Sequence, residues 1–111
     1  MTTALLLVDI QNDYFPGGKM ELEGSVGAAR NARRLLEFFR AEELPICHIQ
    51  HVSVRPGAAF SLPDTEGVRI HETVHPLEAE IVHHKHFPNA FRESSLLAHL
   101  RGLGAKRLVI A

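Results

Sequence analysis

The segment Ala4-Leu5-Leu6-Leu7-Val8 constrains this chain more than any other. It is apolar without alternation, and Asp9 ends it. A strand with one wet face alternates apolar and polar residues, because successive side chains point to opposite faces. An unbroken apolar run is therefore predicted to be a strand covered on both faces, as in a parallel sheet flanked by helices. The run is too short for a signal peptide or a membrane span and has no basic flank.

The rest of the chain repeats the theme. Gln11 to Gly24 reads as loop, with Pro16-Gly17-Gly18 as its turn. From Val26 to about Glu42 a helix is predicted. Val26, Ala29, Ala32, Leu36 and Phe39 recur at spacings of three and four, and Ser25 is placed to cap it. Arg30, Arg33, Arg34 and Arg40 are expected to face water. Pro45 ends the helix. Ile46 to Val52 reads as a second strand, and residues 53–76 as a long irregular stretch, a length that in a compact domain usually carries function. Glu80 to Lys85 reads as a third strand. A helix capped by Ser94 or Ser95 runs to Leu100 or Arg101, and Arg107 to Ala111 forms a fourth strand. The order β-α-β-loop-β-α-β predicts an α/β fold: an open parallel sheet with flanking helices in a Rossmann-like three-layer α/β/α arrangement, with the first strand central. The fourth strand is apolar and nothing follows to cover it. We therefore expect residues 1–111 to be a single domain cut short after that strand, the N-terminal part of a longer protein.

Composition removes several classes of function. The 111 residues hold 12 Lys+Arg and 13 Asp+Glu, for a net charge of -1. No block of like charge is long enough to grip nucleic acid or an anionic membrane. One cysteine, Cys47, precludes a disulfide framework within the chain, and a reducing cytoplasm is the expected location. Histidine is abundant: eight residues, of which six lie between His71 and His99.

In open parallel sheets, ligands bind outside the carboxyl ends of the strands. Asp9 ends the first strand, His51 is near the end of the second, and Lys85 ends the third, so the three are expected at one sheet edge. A carboxylate and an ammonium there suit a general base and an electrostatic stabiliser. His71-Glu72-Thr73-Val74-His75 matches the H-E-x-x-H zinc pattern, which works only on a helix. Thr73 and Val74 are β-branched and Pro76 follows, so the context favours a loop with incidental histidines. His83 and Lys85 share one face of their strand, and His84 and His86 the other. They read as lining of a cleft or interface rather than a metal site, because no carboxylate lies at a supporting spacing. Cys47 lies inside a strand and reads as a small core residue.

Leu6-Leu7-Val8-Asp9-Ile10-Gln11-Asn12-Asp13-Tyr14-Phe15, followed by Pro16-Gly17-Gly18, resembles the opening of isochorismatase-like cysteine hydrolases. That superfamily includes nicotinamidases and related amide hydrolases. Glu80 to Phe91 resembles the family segment in which a catalytic lysine ends the third strand. Leu97 to Ala111 resembles the helix and strand that follow. The resemblance implies Asp9 and Lys85 as catalytic residues, and Gln11, Phe15, His51 and Phe91 as substrate-binding residues, with Phe60 a further candidate wall. It places the family's nucleophilic cysteine shortly after the fourth strand, beyond Ala111; Cys47 does not match that position. Family members that hold zinc carry Asp-x-His after the second strand. The matching residues here are His51-Val52-Ser53, so no metal and no other cofactor is expected. The implied function is cleavage of a small-molecule amide or related C–N bond. The competing readings are a zinc metallohydrolase using His71, Glu72 and His75, and a non-catalytic α/β fragment or subunit. The expected partners are a small-molecule substrate and further copies of the chain in a homo-oligomer, with neither nucleic acid nor membrane.

Overall fold

The computed structural model describes residues 2–111. Four strands form one sheet: β1 (Thr2–Val8), β2 (Ile46–His51), β3 (Ile81–Lys85) and β4 (Ala105–Ile110). They lie in the order β3-β2-β1-β4, and every pairing is parallel. β1 is interior, as its composition demands. Two helices, α1 (Ser25–Ala41) and α2 (Leu96–Gly102), provide the crossovers, with single 3-10 turns at Asn12–Tyr14 and Glu72–Val74.

The apolar run is explained by the layers. Leu5 and Leu7 pack with Ala32, Leu36 and Phe39 of α1 and with Val74. Ala4 and Leu6 point the other way, against Cys47 and Ile49 of β2 and Leu96 and Leu100 of α2. Residues 4 to 7 are at most 3 % exposed. Fully burying one such leucine is worth about 1.5–3 kcal/mol, so β1 anchors both layers. None of the helices among the described residues is long and apolar enough to cross a membrane.

Three local expectations are corrected. Ser25 does not cap α1. It is already the first helical residue, and Gly24 precedes it in a left-handed conformation (φ 78°) with no side-chain cap. Val26 lies outside the core stripe and is 40 % exposed. Arg40 does not face water: its side chain folds over the sheet edge to Glu80, with Nε–Oε2 at 2.7 Å and Nη2–Oε1 at 2.8 Å. Its target lies forty residues away, so helix periodicity alone could not distinguish Arg40 from its solvated neighbours. At α2, Ser95 makes no cap bond; Ser94 Oγ instead accepts from the Leu96 N–H at 3.4 Å.

Candidate active site

The chain leaves β1 through an unusual turn. Asp9 adopts φ 56°, in the left-handed region that few residues other than glycine occupy and that aspartate and asparagine tolerate better than most side chains. Its N–H is still held by the Ile49 carbonyl of β2 at 3.0 Å. The turn directs the carboxylate across the carboxyl edge of the sheet. There the Lys85 Nζ approaches Asp9 Oδ2 at 3.1 Å and also donates to the Pro88 carbonyl at 3.1 Å.

β1 and β3 are not neighbours; β2 lies between them. Strand spacing of about 4.8 Å puts the two roughly 10 Å apart, a gap that a lysine stem can cross. The register supports the reach, since His51 of β2 lies opposite Lys85. Lys85 is 5 % exposed and the Asp9 side chain 27 %. Among the described residues, Asp9 Oδ1 makes no hydrogen bond although it is buried. The pair thus has one carboxylate oxygen committed to the ammonium and one free to take a proton.

The loop network beneath the pair is built by Gln11. This side chain is fully buried. Its Oε1 accepts from the His51 N–H at 2.8 Å, and its Nε2 donates to the carbonyls of His51 (2.9 Å) and Val68 (2.7 Å). Both amide hydrogens are therefore used inside the protein. Gln11 joins the segment after β1 to the end of β2 and to the long loop, where it also forms a bridge with Ile70. Asp13 fastens the same loop: its Oδ2 accepts from the Ser61 N–H at 2.7 Å. Gly67 lies so close to the Asp13 carboxylate that any side chain there would collide with it. Residues 53–76 are thus tied down at several points. Neither Asp13 nor Gly67 stands out in the sequence as a partner of the other, because the loop's path is not encoded in any local period.

Two cavities flank this edge. One of about 430 Å³ lies against Asp9 and is lined by Val8, Ile10, Tyr14 and Phe15. Another of about 520 Å³ is lined by His51, Phe60, His86, Phe87 and Pro88. Phe15 is stacked on the His71 ring with centroids 3.7 Å apart. Burial, and next the Lys85 charge, push the His51 imidazole below its ordinary range, so it is neutral at pH 7. Burial also raises the Tyr14 phenol. Phe91 lines neither cavity and is 41 % exposed. Tyr14 borders Asp9 and meets Phe60 edge-to-face at 6.0 Å. It was not among the expected site residues, and only its position in the Asp9 to Phe15 motif points to it.

The H-E-x-x-H segment does not form the helix its zinc chemistry needs. His71 has extended backbone (ψ 143°) and caps a 3-10 turn over Glu72–Val74, and its Nδ1 accepts from the Thr73 N–H at 3.2 Å. His75 falls past the end of the turn, before Pro76. The two imidazoles are not presented from one helical face, and the metalloprotease reading fails on that geometry.

The Isochorismatase domain family model matches residues 3–111, and the chain belongs to that family. Among curated proteins it is 52 % identical over 110 residues to the uncharacterized isochorismatase family protein YddQ of Bacillus subtilis, covering 99 % of this chain and 61 % of that one. It is 31 % identical over 108 residues to the secreted isochorismatase effector Isc1 of Verticillium dahliae, covering 97 % and 56 %. An isochorismatase hydrolase structure from Oleispira antarctica superposes with a TM-score of 0.93 at 42 % identity, covering 99 % of this chain and 59 % of that one. N-carbamoylsarcosine amidase from Thermoplasma acidophilum shares the fold, with a TM-score of 0.91 at 23 % identity and coverage of 99 % and 66 %. The chain spans about half to three-fifths of the curated relatives it matches.

Proposed function

We propose that this chain is the Asp-Lys half of a cysteine hydrolase that cleaves a small amide or related C–N bond. The observation that carries the reading is the Asp9–Lys85 contact of 3.1 Å at the sheet edge, with Asp9 Oδ1 unengaged. The substrate class rests on the resemblance of the motif residues, not on likeness of fold.

In this mechanism the nucleophilic thiol comes from chain beyond Ala111. Asp9 Oδ1 takes the thiol proton, and the thiolate sulfur attacks the substrate carbonyl carbon. The C–N bond then breaks, and the amine leaves with the proton from Asp9. Water, deprotonated by the same carboxylate, hydrolyses the thioester and restores the thiol. The Lys85 ammonium fixes Asp9 Oδ2, and its charge favours thiolate over thiol. Phe15 and neutral His51 serve as walls of the two cavities. Gln11, its amide hydrogens spent, acts as a positioning residue that sets the height of His51.

The test is alkylation by iodoacetamide in the full-length protein. Cys47 is fully buried and contributes little background. Asp9→Asn should slow alkylation of the nucleophile by about a hundredfold, and Lys85→Ala should move its pH profile upward. A full-length Asp9→Asn protein alkylated at the wild-type rate would reduce the pair to a strand-end ion pair and favour the non-catalytic reading.

A further inference from the structure

On the face of the sheet that carries α2, three side chains converge that the mechanism does not use. Cys47 is on β2, His83 on β3 and His99 on α2, and one ligand atom from each lies within 4.8 Å of the others. Among the described residues this is the one group of three or more His, Cys, Asp or Glu side chains placed closely enough to share an ion. We propose that Cys47, His83 and His99 form a binding site for a borderline-soft divalent cation of the zinc type, one that staples α2 to the sheet. The site stands apart from the proposed hydrolytic chemistry, and neither depends on the other.

The fold explains the convergence. Ile49 of β2 is opposite His83 of β3, and Cys47 precedes Ile49 by two residues, so all three face one side of the sheet. Leu96 and Leu100 bury themselves against Cys47 and Ile49 and fix the roll of α2. That roll brings His99 beside His83, with ring centroids 5.0 Å apart. The Cys47 side chain forms the buried floor, and the two half-buried histidines lie on its solvent side.

The donor chemistry fits. One thiolate and two imidazoles are a common set for tetrahedral zinc, with bonds of roughly 2.3 Å to sulfur and 2.0–2.1 Å to nitrogen. Those bonds put ligand atoms about 3.5 Å apart. The present spacing of at most 4.8 Å closes to that value with side-chain movement of no more than about 1.3 Å. His83 Nε2 is buried and makes no hydrogen bond among the described residues, which leaves it as an available donor. Its other nitrogen, Nδ1, is 3.5 Å from Ser95 Oγ, an outer partner able to orient the ring. Burial, and then the neighbouring imidazole of His99, push His83 toward the neutral form that binds metal. Burial raises the Cys47 thiol, so coordination must release its proton to solvent as the metal–sulfur bond forms. The fourth position is open to water. The sequence could not reveal the site, because its three residues come from three different elements.

The binding experiment uses the full-length protein with Zn(II) alone and then Co(II) alone. One equivalent of Zn(II) per chain is expected, and the melting temperature should rise with it, because a ligand of the folded state stabilises that state. Bound Co(II) should show a thiolate charge-transfer band that Cys47→Ser abolishes, whichever other cysteines the full chain holds. His99→Gln sits on the half-buried rim and threatens the fold least. It should weaken Zn(II) by at least the roughly tenfold that loss of even an outer-shell partner costs, and cancel the thermal shift. A cobalt spectrum without the thiolate band, a band that persists in Cys47→Ser, or wild-type Zn(II) affinity in His99→Gln would each overturn the assignment. If Cys47→Ser does not fold, the His99→Gln and His83→Gln affinities decide the question.

Discussion

Two carboxylate–cation groups occupy this small sheet, and they are built on opposite principles. Glu80 is saturated. Arg40 grips it with two hydrogen bonds, His48 Nε2 contacts Oε1 at 2.8 Å, and the Leu77 N–H donates to the same oxygen at 3.0 Å. Burial alone would push the Glu80 carboxyl up; the bonds from Arg40, Leu77 and His48 outweigh it and hold the group at about 2. Asp9 is unsaturated, with one oxygen on Lys85 and the other buried without a partner among the described residues. Its backbone is also strained, while Glu80 is absent from the positive-φ residues. A carboxylate with both oxygens engaged holds elements together; one left incomplete on a strained turn is poised for chemistry. Glu80 joins α1, β2 and the approach to β3. Asp9 joins only two strand ends.

The sharpest way to break this comparison is to remove one charge from each group. Glu80→Gln leaves the half-buried Arg40 guanidinium without its counter-ion and should cost about 3 kcal/mol in denaturant unfolding of the full-length protein, the lower end for a buried pair because Arg40 is partly exposed. It should leave iodoacetamide reactivity within about twofold of wild type. Asp9→Asn should have the larger effect on reactivity, and it should also cost stability, because it leaves the buried Lys85 ammonium with only the Pro88 carbonyl. If both variants lose stability equally and neither changes reactivity, the two carboxylates do the same job and the distinction collapses.

Acid should separate the groups next. The His48 imidazole is pushed down by burial, against the pull of Glu80. A histidine lowered on folding contributes stability above its unfolded value of 6.5 that is lost as the pH falls below it. Glu80, lowered from 4.5 to about 2, contributes stability that is full above 4.5 and declines as the pH drops toward 2. The melting temperature should therefore fall in two stages on acidification, and Glu80→Gln should flatten the lower one. A melting temperature constant from neutral pH down through that window would contradict the saturated network.

The smallest effect belongs to a third pair. Arg33 and Glu37 of α1 meet at 2.8 Å, but their side chains are 43 % and 60 % exposed. Glu37→Gln, which removes the pair but keeps the Arg33 bond to the Thr73 carbonyl, should change stability by no more than about 1 kcal/mol, since solvent screens such pairs. A loss comparable to that of Glu80→Gln would mean that contact distance, not saturation and burial, sets the scale.

The elements were legible because their signals are local. An unbroken apolar run at residues 4 to 8 demands cover on two faces, and the stripe of Ala29, Ala32, Leu36 and Phe39 gives α1 its buried side. The sheet edge where Asp9, His51 and Lys85 meet also follows from sequence, because parallel strands bring their carboxyl ends to one side. Other features required the folded chain. The sequence could not show that Arg40 turns inward to Glu80 or that Gln11 spends its amide on the backbone. Nor could it show that Cys47 meets two histidines across β2, β3 and α2. Each of these depends on the register between strands and the roll of a helix. Both are set by packing between residues far apart in the chain, and no local period records them.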